Sequence, residues 1–181
     1  MEWNGRQQLQ SRNFRCAYCS HLVASNQGYY SDGRRRLYIC PHCYYPTLFD
    51  EWDRQRPGVA PSGKVEHVPE ALGQLYTEAR DCSGASAFTA SVLASRKMLM
   101  NIAVEQGADE GKGFIDYVEY LDTKGFIPPN GRRWVDHIRK KGNEATHEIK
   151  VMTQDDAEEL LIFIEMLLKF IYEFPNRVPN P

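Results

Sequence analysis

No stretch of this 181-residue chain is apolar for long enough to cross a bilayer as a helix. The longest candidate, Leu160 to Ile171, is interrupted by Glu165 and Lys169 and falls short of the roughly 20 residues a crossing needs, so no membrane partner is expected. No positively charged start leads into an apolar segment, and the opening from Glu2 to Arg15 is polar. A signal peptide is therefore not expected, and a cytoplasmic location is. A dominant charge is missing as well: 22 Lys and Arg stand against 24 Asp and Glu, net −2, which excludes a protein that coats nucleic acid by charge alone. Internal repeats are absent, which excludes solenoid arrays. Cysteine is scarce, five residues in all, which excludes a disulfide-built scaffold and agrees with a reducing compartment.

Four of the five cysteines are nevertheless arranged. Cys16 and Cys19, then Cys40 and Cys43, form two C-x-x-C pairs with 20 residues between them. A tetrahedral zinc ion takes four thiolates at about 2.3 Å, and each C-x-x-C turn delivers two. Between the pairs, Ser31-Asp32-Gly33 is a turn flanked by Tyr29-Tyr30 and Leu37-Tyr38-Ile39, so the segment Leu22 to Ile39 runs out and back. The spacing thus predicts a zinc ribbon with structural Zn2+; two disulfides or four unrelated thiols are the competing readings. So small a module cannot bury enough surface unaided, and a closed thiolate site supplies on the order of 10 kcal/mol. Cys82 stands alone and reads as a small packed thiol.

Charge divides the chain. Residues 1 to 66 hold nine Lys and Arg against six Asp and Glu, net +3, and the remainder carries net −5. Arg34, Arg35 and Arg36 follow the hairpin tip, where they either grip phosphates or keep a sheet edge soluble. From Glu51 to Pro69 the chain has Pro57-Gly58, Pro61 and Ser62-Gly63 and little apolar periodicity, which reads as a linker. The expected organisation is a ribbon over 1–50, a linker over 51–68, a helical bundle over 69–175 and a tail over 176–181.

Five helices are expected in the second part, over about 69–81, 85–106, 114–123, 132–148 and 153–174. Gly107 and Gly125 act as stops, and Thr153 caps the last helix through a Thr-x-x-Asp box with Asp156. The last helix is apolar nearly all round, as a central helix or a dimer face would be. In the fourth, Arg139, Asn143 and His147 recur every four residues and share one ridge, with Lys140 and Lys141 beside them. An imidazole that moves a proton and a guanidinium that holds phosphate charge suit phosphodiester chemistry. The same residue types also pair structurally with carboxylates such as Asp136, Glu144 or Glu148.

The stretches Val68-Pro69-Glu70-Ala71-Leu72, Glu78-Ala79, Ala94-Ser95-Arg96-Lys97-Met98-Leu99 and Ile138 to His147 together resemble a bacterial domain family that is similar to the HEPN superfamily. Members of that family occur alone, behind zinc ribbons and fused to restriction-type proteins. The resemblance spans about Val68 to Phe174 and is sharpest over Ile-Arg-x-x-Gly-Asn-x-Ala-x-His. It implies a mainly α fold, a small β zinc ribbon followed by a HEPN-like bundle of about five helices. It also implies a homodimer with a composite, metal-independent RNA-cleaving site, in which His147 transfers a proton, Arg139 holds the phosphate and Asn143 assists. Seven residues separate Arg139 from His147, more than the superfamily usually shows. The function so implied is engagement of RNA or DNA in phage defence or toxin-like stress control. Its rival is a non-catalytic adaptor whose zinc ribbon docks a protein partner.

Overall fold

The computed structural model describes residues 2–31, 33–128 and 151–177. Two compact units emerge, one of residues 1–60 with 84–86 and one of 61–83 with 87–181. The first is a five-stranded antiparallel sheet in sequential order: β1 (Gln7–Arg15), β2 (Leu22–Tyr30), β3 (Arg36–Ile39), β4 (Pro46–Phe49) and β5 (Gln55–Arg56). The β2–β3 hairpin pairs Gly28 with Tyr38 and Tyr30 with Arg36, bringing each C-x-x-C turn to the end of the sheet away from the tip. Phe14, Tyr38 and Phe49 form an aromatic core with centroids 5.6 to 6.1 Å apart, Phe49 meeting the other two rings edge-to-face, and buried Cys16 and Cys40 complete it. Arg12 lays its guanidinium 3.6 Å from the Phe49 ring centroid and holds Asp53 through two bonds of 2.6 and 2.9 Å.

Gly28 has no tolerance for a side chain, since a Cβ there would lie 1.8 Å from the Leu37 carbonyl oxygen. Gly28→Ala is expected to force β2 away from β3 at a cost of about 2 to 3 kcal/mol. A lowered melting temperature together with weakened metal retention would show it.

The second unit contains α1 (Glu70–Gly84), α2 (Phe88–Glu105), α3 (Phe114–Thr123) and α4 (Gln154–Leu168). A π-helical turn over Lys169–Glu173 and a last turn over Phe174–Arg177 extend α4. Thr153 accepts the Asp156 amide at 3.3 Å and Asp156 accepts the Thr153 amide at 2.9 Å, the reciprocal cap that starts α4. Leu161, Phe163, Ile164, Leu167 and Leu168 of α4 are fully buried against Met98, Leu99 and Ile102 of α2 and Val118 and Leu121 of α3. Ser91 ties α2 to α1 by donating to the Ala79 carbonyl at 2.8 Å. Gly107, at φ +100°, ends α2 in a conformation other residues rarely adopt.

The expectation of a mainly α protein with a HEPN-like bundle of about five helices is overturned. Among the described residues helix accounts for 44% and strand for 18%, with four helices of ten or more residues and a sheet of five strands. Two things separate expectation from structure. The polar opening is an edge strand with Phe14 as its buried residue, because a strand with one face in solvent tolerates polar residues along most of its length. The stretch read as a linker carries β5, which adds to β4 through the Leu48–Arg56 and Phe49–Gln55 pairs. The helix expected over 132–148 lies outside the described residues. No helix among those described is long and apolar enough to cross a membrane.

Candidate metal centre

Two turns of the same backbone design build the site. In the first, Ser20 donates its amide to the Cys16 carbonyl at 2.8 Å and Cys16 donates to His21 at 2.9 Å. In the second, Tyr44 donates to Cys40 at 2.9 Å and Cys40 to Tyr45 at 3.0 Å. Ser20 and Tyr44 occupy the equivalent position and both adopt φ +62°. This left-handed residue turns the chain back toward its strand, and the second cysteine of each pair faces the first cysteine of the other.

The result is a four-sulfur cluster. Cys16 Sγ lies 3.6 Å from Cys43 Sγ, and Cys19 Sγ lies 3.8 Å from Cys40 Sγ. All four sulfurs fall within 4.8 Å of one another. Thiolates about 2.3 Å from a tetrahedral ion sit about 3.8 Å apart, so the spacing matches zinc. A disulfide needs about 2.05 Å, and all four cysteines are free thiols, which removes the disulfide reading.

Burial and the contacts among the sulfurs set the proton affinities of the cluster. Burial pushes the Cys16 thiol up, and burial followed by bonds to the neighbouring thiols pushes Cys43 up to about 12. Burial opposes the Cys40 thiolate too, but the amides of Cys43 and His42 and the thiols of Cys43 and Cys16 outweigh it and lower its pKa. A cation held by the four sulfurs would favour the thiolate form of each and so oppose the upward push of burial. Metal binding must therefore release protons, and protons regain the sulfurs as pH falls. Affinity for zinc is expected to drop roughly tenfold or more per pH unit from 8 to 6. A chelator-competition titration measures it.

Sequence reasoning did not anticipate the two imidazoles at the rim. His21 and His42 stack with centroids 3.7 Å apart and planes at 22°, and with Cys19 they place ligand atoms within 4.8 Å of one another. The Nδ1 of His21 donates to the Cys19 carbonyl at 2.9 Å, since that oxygen can only accept. One histidine close to each cysteine pair was the available signal. The same end of the ribbon exposes Tyr18 and Tyr45, stacked with centroids 4.6 Å apart and planes at 23°, and Tyr44 beside them.

The three arginines at the hairpin do not act alike. Arg35 is held by Glu51 at 2.6 Å. Arg36 donates to the carbonyls of Gly33 and Arg35 and lies 5.6 Å from the Tyr30 ring centroid. Arg34 is exposed and has no partner among the described residues. Arg139, Lys140, Lys141, Asn143 and His147 all lie outside the described residues.

The comparisons with known proteins concern the helical part. The family model described as Domain of unknown function (DUF4145) matches residues 77–180. No curated protein and no solved structure matches the chain.

Proposed function

This chain belongs to the family described as Domain of unknown function (DUF4145), and we propose that it joins that family's domain to a zinc ribbon that holds single-stranded nucleic acid, RNA by the resemblance, in a reducing cytoplasm. The observation that carries this reading is the exposed Tyr18–Tyr45 stack beside the cysteine turns. Aromatic rings take bases on their faces at about 1 to 3 kcal/mol per base. A second contact is offered at the far end of the sheet, where Arg34 is exposed with no partner among the described residues and Arg36 packs near Tyr30. Structural zinc on Cys16, Cys19, Cys40 and Cys43 is part of the proposal, because the two turns that display the rings are the turns the ion ties together.

Fluorescence anisotropy with a labelled single strand tests it. Tyr18→Ala with Tyr45→Ala should weaken binding about 10- to 100-fold, and Arg34→Ala should flatten the salt dependence by about one charge. Binding unchanged in both variants would end the reading.

One observation favours a protein partner instead. The hairpin arginines lie at the end of the sheet away from the rings, and Arg35 and Arg36 are engaged by their own chain, so the rings stand apart from that charge, as the anchors of a protein interface often do. Binding that resists salt and needs no nucleic acid would select this adaptor.

Pairing of two copies is supported by an apolar stripe at four-residue spacing on α4 and its extension. Ile162, Phe170 and Phe174 are exposed on it, the last two rings 5.4 Å apart. Phe170→Glu should then yield monomers in sedimentation. RNA cleavage by Arg139 and His147 rests on the resemblance alone, and equal cleavage by the Arg139→Ala and His147→Ala variants would remove it.

A further inference from the structure

Two exposed imidazoles gather around one sulfur of the cysteine cluster. His21, His42 and the half-buried Cys19 each offer a ligand atom, and these three atoms lie within 4.8 Å of one another. Zinc on the four cysteines engages one lone pair of each sulfur, so a thiolate can still bridge to a second ion. Only a sulfur that solvent reaches can do so. Cys16 and Cys40 are fully buried, whereas Cys19 is not, and it is Cys19 that shares its ligand space with the histidines. Charge favours a second cation as well, because a divalent ion held by four thiolates leaves two negative charges in excess.

His21 is already set as a ligand. Its Nδ1 donates to the Cys19 carbonyl at 2.9 Å, which in the neutral ring leaves Nε2 with a free lone pair. A metal-binding histidine almost always has such an acceptor on its other nitrogen, and here the acceptor belongs to the cysteine that would share the ion. His42 sits inside the second turn, between Pro41 and Cys43, where its amide bonds to the Cys40 sulfur and holds the backbone. The two ring centroids are 3.7 Å apart with planes at 22°. Two nitrogens about 2.0 Å from one trigonal ion sit about 3.5 Å apart. Exposed rings reach that arrangement by turning about their own side-chain bonds, a soft motion for histidine.

We propose that Cys19, His21 and His42 bind a copper(I) ion beside the zinc, with the Cys19 thiolate shared between the two. One thiolate and two imidazoles are a copper donor set, and three ligands satisfy the monovalent ion where zinc takes four. Copper(I) also offsets half of the excess negative charge without expelling zinc. The site rests on the reading of the four cysteines as a zinc centre and owes nothing to nucleic acid on the tyrosines.

Titration of the full zinc-loaded chain with copper(I), without oxygen and against a competing copper(I) chelator, tests the proposal when both metals are counted after desalting. Uptake of one copper per chain with zinc retained is expected. His21→Ala and His42→Ala should each reduce copper affinity about tenfold or more and keep their zinc, since both rings are exposed. X-ray absorption at the copper edge should show one sulfur and two nitrogens. Copper that expels zinc, a copper shell of sulfur alone, or equal affinity in the parent and the doubly substituted variant would overturn the proposal. So would a zinc-loaded protein that takes up no copper. A parent chain that carries no zinc would mark the failure of the four-sulfur reading itself, and the shared site would fall with it.

Discussion

Replacing Cys40 with serine, or stripping the metal with a chelator, is expected to unfold the sheet while the helices persist. The first unit has few buried apolar side chains, and two of them, Cys16 and Cys40, belong to the four-sulfur cluster proposed to hold zinc. A core of Phe14, Tyr38 and Phe49 cannot meet the ordering cost of some 60 residues, whereas closed zinc coordination contributes on the order of 10 kcal/mol. Removing one ligand opens the coordination and also buries a hydroxyl where Cys40 is fully enclosed. Amide resonances of β1 to β5 should collapse to unfolded positions in a two-dimensional NMR spectrum of the full chain, and far-ultraviolet helical ellipticity should remain. Persistent strand resonances in Cys40→Ser would show that the aromatic core holds the sheet alone.

The second large effect is expected at Phe163. Its ring is fully buried in the cluster shared by α2, α3 and α4. Truncation to alanine leaves a cavity that rigid helices fill incompletely, at about 3 to 5 kcal/mol. Ile162, its chain neighbour, is exposed, and Ile162→Ala should stay within about 0.5 kcal/mol. Denaturant midpoints of the two variants should therefore differ widely, and similar midpoints would refute the orientation of α4. This register differs from a helix apolar all round, because one stripe of that apolar surface faces outward.

Much of the ribbon and of the helix punctuation can be read from residue order, for local reasons. The cysteine turns are closed by bonds across four residues, the β2–β3 connection by the bond from the Ser31 amide to the Arg35 carbonyl, and the start of α4 by the Thr153–Asp156 reciprocal cap. Each depends on neighbours in the chain. What escaped depends on distant partners. Gln7–Arg15 alternates weakly because it is an edge strand with one buried residue, and Gln55–Arg56 becomes a strand only by pairing with β4. On α2, apolar character places Leu93 inward, yet Leu93 is exposed and Arg96 is buried. A ring from α3, Phe114, draws the guanidinium in, and composition carries no trace of that. α2 also begins at Phe88 rather than near residue 85, since Ser86 at φ +64° breaks the helical path. The His21–His42 stack arises only when the two cysteine turns meet.

Four sulfurs around one ion form the proposed shell. X-ray absorption at the zinc edge of the purified full chain measures that shell directly. A single zinc per chain with four sulfur neighbours at about 2.3 Å is the expected result. A protein that holds its sheet without metal, or a shell that includes nitrogen from His21 or His42, would contradict it.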